Sequence, residues 1–205
     1  MAIQTFTSGQ ILTATQMNTL QQQAVMTFTT EAARDAALTA PTEGMVAYLT
    51  APTVPAAVGA NTYVPTGIQT VYNGAAWVCV TGVGSFETSS QSTTSTSFVD
   101  LASISSVTLS TGTTALVSFS SFATAGATSA YSVISVAVSG ASTIAAANAQ
   151  ACFIVSPSGS YQGTPSRTMV ISGLTAGINT FTLKYRVTAS TGTFENREIF
   201  VQGIA

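Results

Sequence analysis

Between residues 86 and 205 the chain is a succession of short runs in which apolar and polar side chains alternate. The clearest sets Phe181, Leu183, Tyr185 and Val187 against Thr180, Thr182, Lys184 and Arg186. A period of two matches the pleat of a strand, whose successive side chains leave opposite faces, and it cannot gather apolar residues on one side of a helix. Similar runs at 97–101, 106–109, 114–122, 131–138, 151–155, 168–172 and 194–202 are separated by Gly-, Ser-, Pro- and Asn-rich spacers. Eight short strands with such punctuation predict an antiparallel β-sandwich, with the jelly roll as leading topology. In the run 114–122 one face is Ala115, Val117 and Phe119, and the other is Leu116, Ser118, Ser120 and Phe122. The first face suits a core; the second, part hydroxyl and part aliphatic, suits a subunit contact or a second sheet.

Composition decides what surrounds this core. Only 6% of the 205 residues are charged while 46% are hydrophobic, so the surface is hydroxyl-rich rather than ionic. Ser- and Thr-rich chains are often disordered, but a mean hydropathy of +0.42 and a net charge of -2 predict a packed core. No run of about 18 apolar residues is present, which argues against a membrane span. Met1 to Ile3 carry no basic residue and no apolar stretch follows, so no secretory leader is expected. The five basic residues, Arg34, Arg167, Lys184, Arg186 and Arg197, are scattered, which argues against a nucleic-acid partner. Cys79 and Cys152 sit in strand-like apolar runs and read as buried free thiols, with a disulfide between them as the other reading.

The first 83 residues have a different texture. In residues 1–26, Thr13 and Gln16 form the pattern of a capping box, Leu12 and Met17 that of a hydrophobic staple, and Met17, Leu20 and Ala24 a narrow apolar stripe. So short a helix is marginal alone and must dock on something. Residues 27–83 read as a small α/β-hairpin module. Thr30 caps a helix over 31–38, Glu31 favours its positive end and Pro41 stops it. A strand over 45–49 follows, then a loop over 51–67, then a hairpin with Asn73-Gly74 between strands 69–72 and 75–80, and Trp77 fills the small core. The stretch 81–85 reads as a flexible or bulged joint to the head at 86–205; its Gly-x-Gly has no third glycine and no strand-to-helix context to make a nucleotide loop.

The reactive inventory is short. The chain has no histidine, which removes His-dependent nucleophilic catalysis and the commonest metal ligand; no metal, cofactor or enzymatic activity is expected. Among the acids, Asp100, Glu195 and Glu198 are the only set for a polysaccharide depolymerase, but Glu195 and Glu198 would face opposite sides of a regular strand. An ion pair of Asp100 with Arg197 or Arg167 is the expected use of that carboxylate. Sugar recognition by neutral and aromatic side chains fits better, with Tyr131, Tyr161 and Gln162 as candidate contacts and Asn148 and Asn179 as further loop amides.

Three stretches together resemble a known class. Residues 6–18 (FTSGQILTATQMN) are similar to the opening of many bacteriophage tail and virion structural proteins. Residues 28–37 (FTTEAARDAA) with 41–49 (PTEGMVAYL), and the stretch 71–78 (VYNGAAWV), resemble a small module of phage fibre and minor tail proteins and its closing hairpin. More loosely, 173–183 (GLTAGINTFTL) resembles their Ser/Thr-rich β heads. The resemblance implies an N-terminal part docked on the virion, with Leu12, Met17, Leu20 and Trp77 in the docking region, and an outward β head that is usually trimeric. The partners it implies are further copies of the chain, other virion proteins of tail or capsid, and host surface polysaccharide. The chain has no long shaft, so a capsid decoration or head-fibre role stands beside the tail-fibre reading.

Overall fold

A computed structural model of the protein describes residues 8–23 and 25–205. Phe6 and Thr7 of the first resembling stretch, Met1 to Ile3, and Ala24 of the helical stripe lie outside the described residues. Helix α1 (Ala14–Gln23) starts as its cap predicts: Thr13 N donates to Gln16 Oε1 at 3.0 Å and Gln16 N to Thr13 Oγ1 at 3.2 Å. The module follows, with β1 (Met26–Phe28), α2 (Glu31–Ala37), β2 (Val46–Leu49), β5 (Ile68–Tyr72) and β6 (Trp77–Cys79). Thr30 caps α2 by accepting from Ala33 N. The four strands form one sheet in the order β1-β2-β5-β6, β1 and β2 being parallel across the helical crossover. Tyr72 pairs with Trp77, so the hairpin loop holds four residues rather than the two of Asn73-Gly74. Asn73 Oδ1 accepts from the amides of both Ala75 and Ala76, and this side-chain turn widens the tip.

The remaining strands are β3 (Ala56–Val58), β4 (Asn61–Tyr63), β7 (Val83–Glu87), β8 (Gln91–Thr93), β9 (Ser106–Thr111), β10 (Thr114–Ala125), β11 (Tyr131–Gly140), β12 (Cys152–Val155), β13 (Tyr161–Gly163), β14 (Ser166–Ser172), β15 (Gly177–Val187) and β16 (Gly192–Ile204). They build two sheets. One runs β13-β10-β16-β7-β4, with β14 also on β10 and β8 also on β16; the other runs β12-β11-β15-β9-β3. Take β7, β9, β10, β11, β12, β14, β15 and β16 as first to eighth. The first sheet then reads sixth, third, eighth, first, and the second reads fifth, fourth, seventh, second. That order is a jelly roll, and the pairs are antiparallel throughout. Between the sheets, Ala115, Val117 and Phe119 of β10 meet Phe181, Leu183 and Tyr185 of β15, all at most 2% exposed. This burial of one face of each alternating strand is the main stabilising term of the head.

The structure corrects four expectations of organisation. The loop 51–67 contains β3 and β4, which join the two head sheets by pairing with β9 and β7. The joint 81–85 is not flexible: Val83–Glu87 is an interior strand whose residues are buried or nearly so. The run 97–101 makes only a single bridge, Val99 to Tyr185, and is also held to the sheet by the side-chain contact of Asp100 with Lys184. Module and head also share a core, since Leu49, Ile68 and Cys79 lie in the same apolar cluster as Val83, Leu109 and Val201. Polar ties cross that seam as well: Ser110 Oγ donates to the Trp77 carbonyl at 2.5 Å and Gln202 Nε2 to the Val80 carbonyl at 2.8 Å.

Candidate functional site

Because each strand buries one face, the other face of each sheet is the surface on which function can be carried. On the seven-stranded sheet the register sets Val170, Leu116 and Gln202 in one row across β14, β10 and β16. The next row is Thr168, Ser118, Phe200, Gly84 and Tyr63. Tyr63, Val170 and Ile204 are 55%, 57% and 41% exposed, so this is an uncovered apolar and hydroxyl face. The half of β10 that sequence alternation assigned outward, Leu116, Ser118, Ser120 and Phe122, lies here.

One irregularity on this sheet changes the reading of the acids. The β10–β16 register slips between Ser120 and Phe122, and Asn196 takes a left-handed φ of 50°. This bulge inverts the phase of β16, turning Arg197 into the core and leaving both Glu195 and Glu198 on the outer side. They therefore share a face rather than opposing each other. The expected pair of Asp100 with Arg197 or Arg167 is also absent: Asp100 accepts from Lys184 Nζ at 2.6 and 2.7 Å, because β15 sets that cation beside the segment 97–101. Arg167 instead donates to the Ala151 carbonyl at 2.8 Å. Among the described residues no three metal-ligating side chains of Cys, Asp or Glu converge.

The five-stranded sheet carries the better-formed concavity. Its outer face presents Arg186 of β15 opposite Val133 of β11, which is in turn opposite Phe153 of β12. One row up stand Tyr131 and Val155. The rings of Tyr131 and Phe153 lie 5.2 Å apart, tilted by 59°, and are 37% and 55% exposed. They wall a cavity of about 270 Å³ whose far side is Arg186, Asn148 and Thr188. Arg186 and Asn148 also line an adjoining open groove of about 800 Å³, floored by Ala137 and Lys184 and flanked by Thr96 to Phe98. Arg186 donates through Nε and Nη2 to Asn148 Oδ1 at 3.1 and 2.8 Å, and its guanidinium sits 5.3 Å from the Phe98 ring. The groove falls in the size range of small-ligand sites and the cavity just below it.

The residues named from sequence are dispersed. Tyr131 belongs to this cavity, whereas Tyr161 and Gln162 are successive residues of β13 on the other sheet and project to opposite faces. Asn179 is buried, bonding Thr111, Thr175 and the Ser142 amide, and so is a structural amide. Leu12 and Met17 are 40% and 44% exposed and Leu20 is half-buried, but Trp77 is 8% exposed among Met45, Ala47 and Phe28. The Trp77 ring packs the module, with Arg34 stacked 4.6 Å from its centre, so it presents no docking surface. Cys79 and Cys152 are separate buried thiols, each pushed up to about 11 by burial. Phe153, Arg186 and Asn148 were not legible as a set because only the pairing of three strands and a loop brings them together.

No protein-family model and no curated protein matches the chain. Solved structures that align with it include Eiger TNF from S. frugiperda, at 13% identity over 60% of this chain and 92% of that one, with a TM-score of 0.42. Murine APRIL aligns at 14% identity over 71% of this chain and 95% of that one, with a TM-score of 0.31. The strand order by itself defines the class, a jelly-roll β-sandwich packed on a small α/β module.

Proposed function

We propose that the protein is a structural component of a bacteriophage particle, its N-terminal part docking on the virion and its β head projecting as a trimer, in a tail fibre or receptor-binding tip. The observation that carries this reading is a division of uncovered apolar surface in a chain with very few charges. Ile11, Leu12 and Met17 stand exposed around α1, at 89%, 40% and 44%. The outer face of the seven-stranded sheet exposes a second set, Tyr63, Val170, Phe200 and Ile204. Uncovered apolar faces of this kind serve association, one set for the particle and one for sister subunits. The three-fold number comes from the resemblance of the N-terminal stretches to phage fibre proteins.

Light scattering on the eluting full chain tests the assembly, with three times the 20.8 kDa chain mass expected. A monomer at micromolar concentration would overturn the trimer. Immunogold labelling of particles tests the address. Label at the tail end is expected, label over the shell assigns a capsid decoration that stabilises the head, and absence of label from particles defeats the reading.

A further inference from the structure

Of the chain's five basic residues, Arg34 and Arg197 are buried at 5% and 0% exposure and Arg167 is spent on a backbone carbonyl. The remaining two, Lys184 and Arg186, stand two residues apart on the same outer face of β15. Lys184 is neutralised by Asp100. Arg186 has no carboxylate in ion-pair range among the described residues; its Nε and Nη2 donate to the neutral oxygen of Asn148, its Nη1 reaches the Val187 carbonyl at 3.5 Å and the Phe98 ring lies beside it, all uncharged partners. A guanidinium is thus fixed in orientation at the junction of two concavities while keeping its full charge.

Beside it is the Tyr131–Phe153 pair, partly exposed on a solvent-facing sheet. Flat aromatic faces pack the C–H faces of a pyranose ring, and a fixed guanidinium binds a carboxylate with paired, charge-assisted hydrogen bonds. Phe153 and Arg186 are each one strand away from Val133, so the strands carrying the platform and the cation are about 10 Å apart across the sheet. Both come from strands, which hold a site more rigidly than loops do.

From this arrangement we infer that the outer face of the five-stranded sheet binds an acidic saccharide, stacking a ring on Phe153 and Tyr131 and receiving a carboxylate at Arg186 beside Asn148. The inference rests on this face alone and stands whether or not the chain is a virion component.

The test is calorimetric titration of the full chain with oligogalacturonate, hyaluronate oligosaccharides, oligosialic acid and, as the uncharged control, oligoglucose of matched length. Inorganic phosphate and dextran sulfate serve to separate carboxylate recognition from general anion binding. At least one carboxylated saccharide is expected to bind at least about tenfold more tightly than oligoglucose. Arg186→Gln is expected to abolish that preference, and Phe153→Ala to weaken carboxylated and neutral saccharides alike. Both side chains are partly exposed, so unchanged thermal unfolding is the control for folding. In the wild-type chain, chemical-shift changes confined to β11, β12 and β15 provide a readout that needs no variant. No binding of any carboxylated saccharide at about 1 mM, tighter binding of phosphate or dextran sulfate, or binding unaffected by Arg186→Gln would each overturn the inference.

Discussion

The guanidinium of Arg197 lies 5.7 Å from the centre of the Tyr185 ring, and both side chains are sealed between the two sheets. Arg197 donates to the carbonyl of Ser103 at 2.8 Å and to the carbonyl and hydroxyl of Ser89 at 3.2 and 2.9 Å. It therefore ties the segments before and after β8 to the last strand. The Tyr185 hydroxyl has no hydrogen-bond partner among the described residues, and burial pushes its pKa up against the opposing effect of the Arg197 charge. Removing each group has different consequences. Arg197→Ala strands buried acceptors and opens a cavity, and is expected to cost about 3 to 5 kcal/mol in urea unfolding. Tyr185→Phe removes only an unpaired hydroxyl and is expected to stay within about 1 kcal/mol of wild type. Equal losses for the two would show that the hydroxyl is bonded after all.

Two carboxylates make the fold sensitive to acid. Partial burial pushes Glu31 up, but the amides of Thr53 and Val54 and the Thr53 hydroxyl outweigh it and hold the carboxyl below its usual value. Glu87 is held down chiefly by the amide of Ser89, with the Arg197 charge adding to it. A carboxylate whose pKa is lower folded than unfolded contributes stability above its unfolded value, and that contribution disappears as pH falls through the folded value. Stability should therefore decline as pH is lowered below about 4.5, the unperturbed value. The decline should be shallower in a Glu31→Gln, Glu87→Gln double variant, as measured by urea midpoints from pH 7 to pH 3. Parallel curves would remove both groups from the account.

The seam between module and head can be probed at one atom. A Cβ on Gly203 would stand 2.6 Å from the Cys79 carbonyl oxygen and 2.8 Å from Val78 Cγ1, so the β16 backbone approaches β6 as closely as only glycine permits. Gly203→Ala must push the two apart and is expected to cost about 1 to 3 kcal/mol, the range for overpacking. Wild type should unfold in one transition, because Leu49, Ile68 and Cys79 share the head's core. A wild-type melt in two separated steps, with only the smaller one moved by Gly203→Ala, would mean that the module folds independently of the head.

The sequence was most legible where a strand is long and buries one face. In β10 and β15 the alternation names the core residues directly, and every one of them is buried. It was least legible where pairing alone makes the strand. Ala56–Val58 and Asn61–Tyr63 have no pattern of their own and are extended because β9 and β7 offer open edges. Gly82 and Gly84 read as a hinge, yet the rings of Phe200 and Tyr63 lie over them, so glycine is there to admit an aromatic side chain rather than to bend. The bulge at Asn196 reverses the phase of β16, so no strict alternation could place Arg197 inside or Glu195 and Glu198 together. Of the candidate saccharide site, Tyr131 and Asn148 were visible beforehand; Phe153 and Arg186 join them only through the pairing of β12 and β15 with β11.

Self-association, if it uses the outer face of the seven-stranded sheet, should be governed by apolar contact. Across that face the central rows are Val170, Leu116, Phe200 and Tyr63 with Thr168 and Ser118, while Glu195 and Glu198 lie farther along β16. Screening weakens interactions between exposed charges but leaves buried apolar area untouched. Oligomer mass should therefore be the same in about 50 mM and about 1 M NaCl, which span weak and strong screening. Val170 is 57% exposed, so Val170→Glu leaves the subunit core intact while placing a charge where a partner must exclude water. It is expected to yield monomers whose circular dichroism matches wild type. A trimer that dissociates in high salt would point to charge contacts instead, and one that survives Val170→Glu would move the subunit contact to another face.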